Sequence, residues 1–352
     1  MSLVIDQLHK RFGSIKALDG LDFEVPGGQV FGFLGANGAG KTTTMRIVLG
    51  VLNADRGTVA WNGTDSRELP RETWGYLPEE RGLYPRMTVV DQLVYFASLY
   101  GLPPDRARRE VLHWLARFRV PELGERRAEE LSKGNQQKIQ LIAAILHDPQ
   151  VLLMDEPFTG LDPVNVALLR EAFLELRDQG RTLIFSTHQM DTVEAMCESI
   201  AIVDRGRVVV GGPVRDIRRA AGRRLVRLSV EGDHRLDWIA ELAGARILRP
   251  GIDRTEIELD VGIEPDVILA AAIARGARIT HFEVAEASLE QIFIDHVGRP
   301  SDDEVHLAPD TGQREPGRVT PGAPTSGAPT SGAPTPDTSP PDRRVASDEP
   351  AA

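Results

Sequence analysis

Gly35-Ala36-Asn37-Gly38-Ala39-Gly40-Lys41-Thr42 stands between an apolar run, Val30 to Leu34, and a segment, Thr43 to Leu49, whose apolar residues recur at helical spacing. A strand that empties into a glycine-rich turn and then a helix presents bare backbone N–H groups to a phosphate, at a helix end whose dipole also favours negative charge. Lys41 is placed there to reach the β- and γ-phosphates of a nucleotide, and the Thr42 hydroxyl to hold Mg²⁺. The spacing points to ATP or GTP. The chain has only five lysines among its 41 basic residues, so the pattern does not arise from a lysine-rich composition.

At 352 residues and 41% hydrophobic content the chain is long and apolar enough for about two domains plus appendages. Its net charge of -11, with no Lys/Arg stripe interleaved with aromatics, disfavours nucleic acid as a partner. Cys197 is the only cysteine, so no intrachain disulfide forms and a reducing cytosol is expected. No stretch approaches 18 uncharged apolar residues, and Leu3-Val4-Ile5 opens the chain without a signal-peptide pattern, so a soluble protein is expected. The eight histidines lack metal-ligand spacing, which argues against a zinc site.

From residue 1 to about 218, short β-type runs alternate with helical patterns, which predicts an α/β domain with parallel strands at its centre. Leu3 to Leu8, Leu18 to Val25 and Gln29 to Leu34 read as strands. Val89 to Tyr100 and Asp105 to Phe118 read as helices of an inserted helical subdomain spanning about 85–147. Val151 to Met154, Thr182 to Phe185 and Ile200 to Val203 are unbroken apolar runs of the kind buried on both faces of a sheet. Over 222–298 the pattern changes to strand, helix (Leu236 to Leu242), strand, strand, helix (Asp266 to Ala274), strand. That β-α-β-β-α-β order predicts a small α+β ferredoxin-like domain, closed by a helix capped at Ser288. Residues 299–352 are rich in Pro, Gly, Ala, Thr and Ser, lack aromatics and repeat Gly-Ala-Pro-Thr-Ser, so they are expected to be a disordered tail.

Two further motifs bear on chemistry. Val151-Leu152-Leu153-Met154-Asp155-Glu156 is a strand ending in two acids; downstream of a phosphate loop, Asp155 becomes the Mg²⁺ holder and Glu156 the candidate for polarising an attacking water. Leu131-Ser132-Lys133-Gly134-Asn135-Gln136-Gln137-Lys138 opens a helix, where Ser132 and the free N–H groups make a second anion site or a plain helix cap. Here the chain resembles the ATP-binding-cassette family, whose signature is a Leu-Ser-Gly-Gly-Gln motif at such a helix start. Loop, helical insert, signature and acid-ended strand follow in that family's order within about 120 residues. The runs Pro78-Glu79-Glu80-Arg81-Gly82-Leu83-Tyr84, Ser132-Lys133-Gly134-Asn135-Gln136-Gln137-Lys138 and Ser288-Leu289-Glu290-Gln291-Ile292-Phe293 together resemble a narrower branch, the ATPases of sodium-efflux and daunorubicin-type drug-resistance exporters.

The resemblance implies a P-loop NTPase cassette, a mixed-sheet core with a β-subdomain and a helical subdomain. It implies nucleotide contacts from Gly35, Ala36, Asn37, Gly38, Ala39, Gly40, Lys41, Thr42 and Thr43, with Phe12 stacked on the adenine. Ser132, Gly134 and Asn135 are then signature contacts to the ATP of a second subunit, and Gly160-Leu161-Asp162-Pro163 the loop that communicates between the pair. His188 matches the histidine that contacts the γ-phosphate, so Glu156, His188 and Lys41 are the implied catalytic group, and Thr42, Asp155 and Glu79 face Mg²⁺. Two departures stand out: Lys133 and Asn135 alter the signature, and Glu79 replaces a usual glutamine. The implied protein is the ATPase subunit of an exporter, pairing head to tail with a second cassette on ATP and driving a separate membrane permease from the cytoplasmic face of the cell membrane. The alternatives are a soluble cassette ATPase of translation, DNA repair or cluster assembly, and a nucleotide switch without turnover; Glu156 argues against the last.

Overall fold

The computed structural model describes residues 1–298 apart from Arg81, Gly222, Arg223, Ile252 and Val261; the expected disordered tail lies outside the described residues. Two long antiparallel strands, β1 (Ser2–Phe12) and β2 (Ile15–Pro26), precede β3 (Val30–Gly35), which runs through the glycine-rich turn into α1 (Lys41–Val48). β4 (Arg56–Trp61) and β5 (Thr64–Asp65) complete an antiparallel sheet of order β2-β1-β4-β5. β6 (Trp74–Leu77) leads into the helical insert, α2 (Val89–Leu99), α3 (Pro104–Arg117) and α4 (Lys133–Ile145). Then follow β7 (Val151–Asp155), α5 (Pro163–Asp178), β8 (Thr182–Thr187), α6 (Met190–Met196), β9 (Ser199–Asp204), β10 (Arg207–Pro213) and α7 (Val214–Ala220).

The central sheet has the order β10-β9-β3-β8-β7-β6, parallel throughout except for β10. Its apolar strands sit between two cores and serve both by alternation. Leu152, Met154, Leu183 and Phe185 face the helices, packing with Leu93, Leu115, Phe118 and Ile142. Val151, Leu153 and Ile184 face the other way, against Met45 and Val48 of α1 and Leu3, Ile5 and Val25 of the antiparallel sheet. The phosphate turn after β3 and the two acids at the end of β7 therefore emerge on the same side, at the carboxyl ends of parallel strands that flank β8, where open α/β sheets bind ligands.

Local chemistry places the helices of the insert. Thr88 accepts from the Asp91 N–H at 3.2 Å and donates to the Asp91 carboxylate at 2.7 Å, a reciprocal cap that starts α2. Pro104 occupies the first turn of α3, where a missing N–H costs nothing. His147, just after α4, ties the insert to the sheet: its ring stacks on Tyr100 at 3.8 Å, and its Nε2 lies 3.0 Å from the Trp74 carbonyl. A carbonyl can only accept, so Nε2 carries the proton and the buried Nδ1 is left without a partner. Burial holds the His147 pKa below its ordinary 6.5, against weaker opposite pulls from the Trp74 carbonyl and from Asp148 and Glu72. Below that value the unfolded chain takes up a proton that the folded chain refuses, so acidification costs stability; well above it the effect vanishes. We expect the loss of Tm between about pH 7.5 and pH 5.5 to be smaller in His147→Gln than in wild type by about 2–4 °C. Equal losses in differential scanning fluorimetry count against this origin.

The third sheet is built from β11 (Arg224–Val230), β12 (Ala245–Arg249), β13 (Thr255–Leu259) and β14 (Ile279–Glu286), antiparallel in the order β12-β13-β11-β14, with α8 (Asp266–Ala274) before the last strand. That is the split arrangement expected of a ferredoxin-like unit. One element differs: the expected helix Leu236 to Leu242 is a 3₁₀ turn, Asp237–Glu241. Leu236 enters it in the left-handed region, at φ 52°, and Gly244 leaves it at φ 76°, so too few residues remain to nucleate an α-helix. Val226, Leu228, Ile239, Ile257 and Ile268 form this unit's own core. The closing helix α9 (Leu289–Val297), capped by Ser288 as expected, packs against α6 and β10, and adds Leu289 and Ile292 to the core on the helix-bearing face of the central sheet.

Candidate nucleotide site

The turn between β3 and α1 demands glycine at two points. Gly38 has φ 80° and Gly40 φ 109°, and a Cβ on Gly40 would lie 2.7 Å from the Ala17 carbonyl oxygen. Lys41 folds back over this turn, its Nζ donating to the carbonyls of Gly35 at 2.8 Å and Ala36 at 3.2 Å. Burial lowers its pKa from the ordinary value, while the charges of Glu156, Asp155 and Glu79 pull it back up. The ammonium is thus held among three carboxylates.

Thr42 Oγ1 donates to Asp155 Oδ2 at 2.6 Å, and the Ser186 hydroxyl of β8 donates to the other oxygen of Asp155. Glu156 sits one residue beyond the strand in the left-handed region, at φ 49°. Its N–H is shared between the Ser186 hydroxyl at 3.1 Å and the Ser186 carbonyl at 3.2 Å. The Glu156 side chain is 8% exposed; Oε1 lies 3.0 Å from His188 Nδ1, and Oε2 accepts from the Thr159 hydroxyl at 3.2 Å.

These groups open onto one cleft of about 480 Å³, lined by Ala17, Asn37, Gly38, Gly40, Lys41, Thr42, Thr43, Glu79, Asp155, Glu156, Thr159 and His188. Gly35 and Ala36 contribute only their carbonyls to Lys41, and Ala39 is buried in the core beneath. Phe12 lies at the end of β1, half exposed, with Lys10 Nζ 5.6 Å above its ring, and does not line the cleft. Ser132, Gly134 and Asn135 also lie outside it: Ser132 caps α4, accepting from the Asn135 N–H at 3.3 Å, and Lys133 is the exposed first residue of that helix. Sequence reasoning missed Ala17, Ser186 and Thr159. Ala17 comes from β2, remote from any motif. Ser186 precedes His188 by two residues and Thr159 follows Glu156 by three, so both lie beside residues that the motifs mark.

Two family models match the chain: ABC transporter over residues 18–159, and ATP-binding protein DrrA1-3-like, C-terminal domain, over residues 212–297. An uncharacterized ABC transporter ATP-binding protein of Bacillus subtilis (strain 168), YhaQ, is 44% identical over 296 residues, 84% of this chain and 98% of the relative. The chain belongs to the ATP-binding proteins of ABC transporters. A second relative from the same organism, the linearmycin resistance ATP-binding protein LnrL, is 29% identical over 306 residues, 84% of this chain and 98% of its own length. Among solved structures, an ATP-binding subunit of an ABC transporter superposes with a TM-score of 0.59 at 32% identity, covering 63% of this chain and 94% of that one. This family hydrolyses ATP to power transport, and this chain is one of its nucleotide-binding ATPase subunits.

Proposed function

We propose that the chain is the ATPase of an exporter, working as a head-to-tail pair at the cytoplasmic face of the cell membrane and driving a separate permease. The observation that carries this is the division of the site. Lys41, Thr42, Asp155, Glu156 and His188 meet in one cleft, whereas Ser132, Gly134 and Asn135 do not line it. A second copy supplies the missing half: its Ser132 hydroxyl and the first N–H groups of its α4 face the γ-phosphate held by Lys41. Phe12 stacks on the base. Glu156 draws the proton from the attacking water, with His188 beside its carboxylate. The kinship with LnrL and the DrrA-like C-terminal match support export, and among the described residues no helix is long and apolar enough to cross a membrane, which is why a separate permease is proposed.

The donors suit Mg²⁺. Among the described residues no group of three or more His, Cys, Asp or Glu is placed to hold a metal, so an ion here depends on the Thr42 hydroxyl, the Asp155 carboxylate and the nucleotide's own phosphate oxygens, with Glu79 on the same wall. Bound there, Mg²⁺ neutralises phosphate charge as it develops.

Head-to-tail pairing is tested by mixing two crippled chains. Lys41→Ala and Ser132→Arg should each lose hydrolysis alone; a random mixture should regain about a quarter of the wild-type sites, since half of the pairs then hold one intact composite site. A mixture as inactive as its components, with both chains folded, sinks the pairing.

A further inference from the structure

Thr159 has no part in the reaction as set out above, yet its hydroxyl is bonded to the carboxylate on which that reaction turns. The Glu156 backbone is clamped: it lies in the left-handed region, and its N–H is held by Ser186. Among the described residues its side chain bonds to two partners. One is His188 at Oε1, whose side chain is 59% exposed. The other is Thr159 at Oε2. Thr159 is carried on the same rigid turn, because its own N–H donates to the Glu156 carbonyl at 3.2 Å, and its β-branched side chain is restricted about χ1. Its hydroxyl therefore sits at a fixed offset from the Glu156 backbone and lines the cleft beside the carboxylate.

We propose that Thr159 is a positioning residue for ATP hydrolysis: its hydroxyl holds Oε2 and so turns the remaining lone pairs of Glu156 toward the water that attacks the γ-phosphate. A carboxylate left to rotate spends most of its time misaimed, and a displacement of about 1 Å at a reacting group can cost a hundredfold in rate. The bond joins two side chains to which no nucleotide contact is assigned above, so it is expected to act on turnover and not on affinity. The inference rests on the assignment of Glu156 as the water-activating group.

The test uses the full-length chain with MgATP. Thr159→Ala should lower kcat about 5–20-fold while KM for ATP and the affinity for labelled nucleotide change by less than about twofold. Thr159→Ser, which keeps the hydroxyl, should retain at least about half of the wild-type kcat. Added to Glu156→Gln, Thr159→Ala should cause no further fall in the residual single-turnover rate, because its effect passes through the carboxylate. An unchanged kcat in Thr159→Ala, a rise in KM that matches the fall in kcat, a serine variant as slow as the alanine one, or an undiminished effect in the Glu156→Gln background would each overturn the proposal. Failure of the underlying assignment looks different: Glu156→Gln alone then turns over like wild type.

Discussion

Glu156→Gln is expected to bind MgATP within about threefold of wild type and to hydrolyse it roughly a thousandfold more slowly, within the range that a positioned general base contributes. The substitution is isosteric, and the local bonds survive it. The new amide oxygen still accepts from the Thr159 hydroxyl, and the amide nitrogen can donate to His188 Nδ1, so both contacts of the native carboxylate have a counterpart. The backbone clamp at Ser186 does not involve the side chain. What disappears is the ability to take a proton from water. Because ATP is then bound but not cut, the paired state should persist: sedimentation with MgATP should show a dimer in the variant and a mostly single chain without nucleotide. Wild-type turnover in a chain that folds and binds normally would remove Glu156 from the mechanism. Slow turnover accompanied by lost binding points instead to a damaged cleft.

The sequence carried the parts of this site that lie on single short segments. The run from Gly35 to Thr42 needs glycine where φ is positive, and a lysine and threonine at the first turn of a helix, so spacing alone exposes it. Asp155 and Glu156 were legible for a similar reason: an apolar strand buried on both faces ends abruptly in two charges. Ser288 was readable as a cap, and α8 has the bounds its apolar run implies. What stayed hidden depends on chain segments that meet only in the fold. Ala17 reaches the cleft because β2 curls against β1 and brings its backbone over Gly40. Ser186 matters because β8 lies beside β7, in register with Asp155. The turn at Asp237–Glu241 was misread as α-helical because its apolar residues, Trp238, Ile239 and Leu242, have helical spacing; the left-handed Leu236 cuts the segment short, and Asp233, accepting from the Leu236 N–H at 3.0 Å, holds it there. Periodicity reports which face is buried, not whether a turn has room to propagate.

Lys41→Ala is expected to weaken ATP binding by at least about a hundredfold, because charge-assisted hydrogen bonds to phosphate are worth about 1.5–3 kcal/mol each and each 1.4 kcal/mol is a tenfold change. The charge balance of the cleft makes the effect larger than the loss of one contact. Lys41 sits among Glu79, Asp155 and Glu156, and its positive charge offsets part of their field even though burial depresses its pKa. Without it, three carboxylates face a triphosphate with the helix end of α1 and the turn N–H groups as the opposing partial charges. Two consequences separate this from simple loss of structure. The Lys41→Ala chain should still unfold in one cooperative thermal transition without nucleotide, at a somewhat lower temperature, because the Gly35 and Ala36 carbonyls lose the donor that the Lys41 ammonium supplies. Adding Glu79→Gln should recover part of the lost affinity, by about three- to tenfold, because one of the repelling charges is removed from the wall of the cleft. Isothermal titration with ATP in the absence of Mg²⁺, at two salt concentrations, reads both effects, and the recovery should shrink at the higher one as repulsion is screened. Affinity within a few-fold of wild type in Lys41→Ala would mean that the backbone nest grips the phosphates unaided, and the ammonium would then belong to turnover and not to binding.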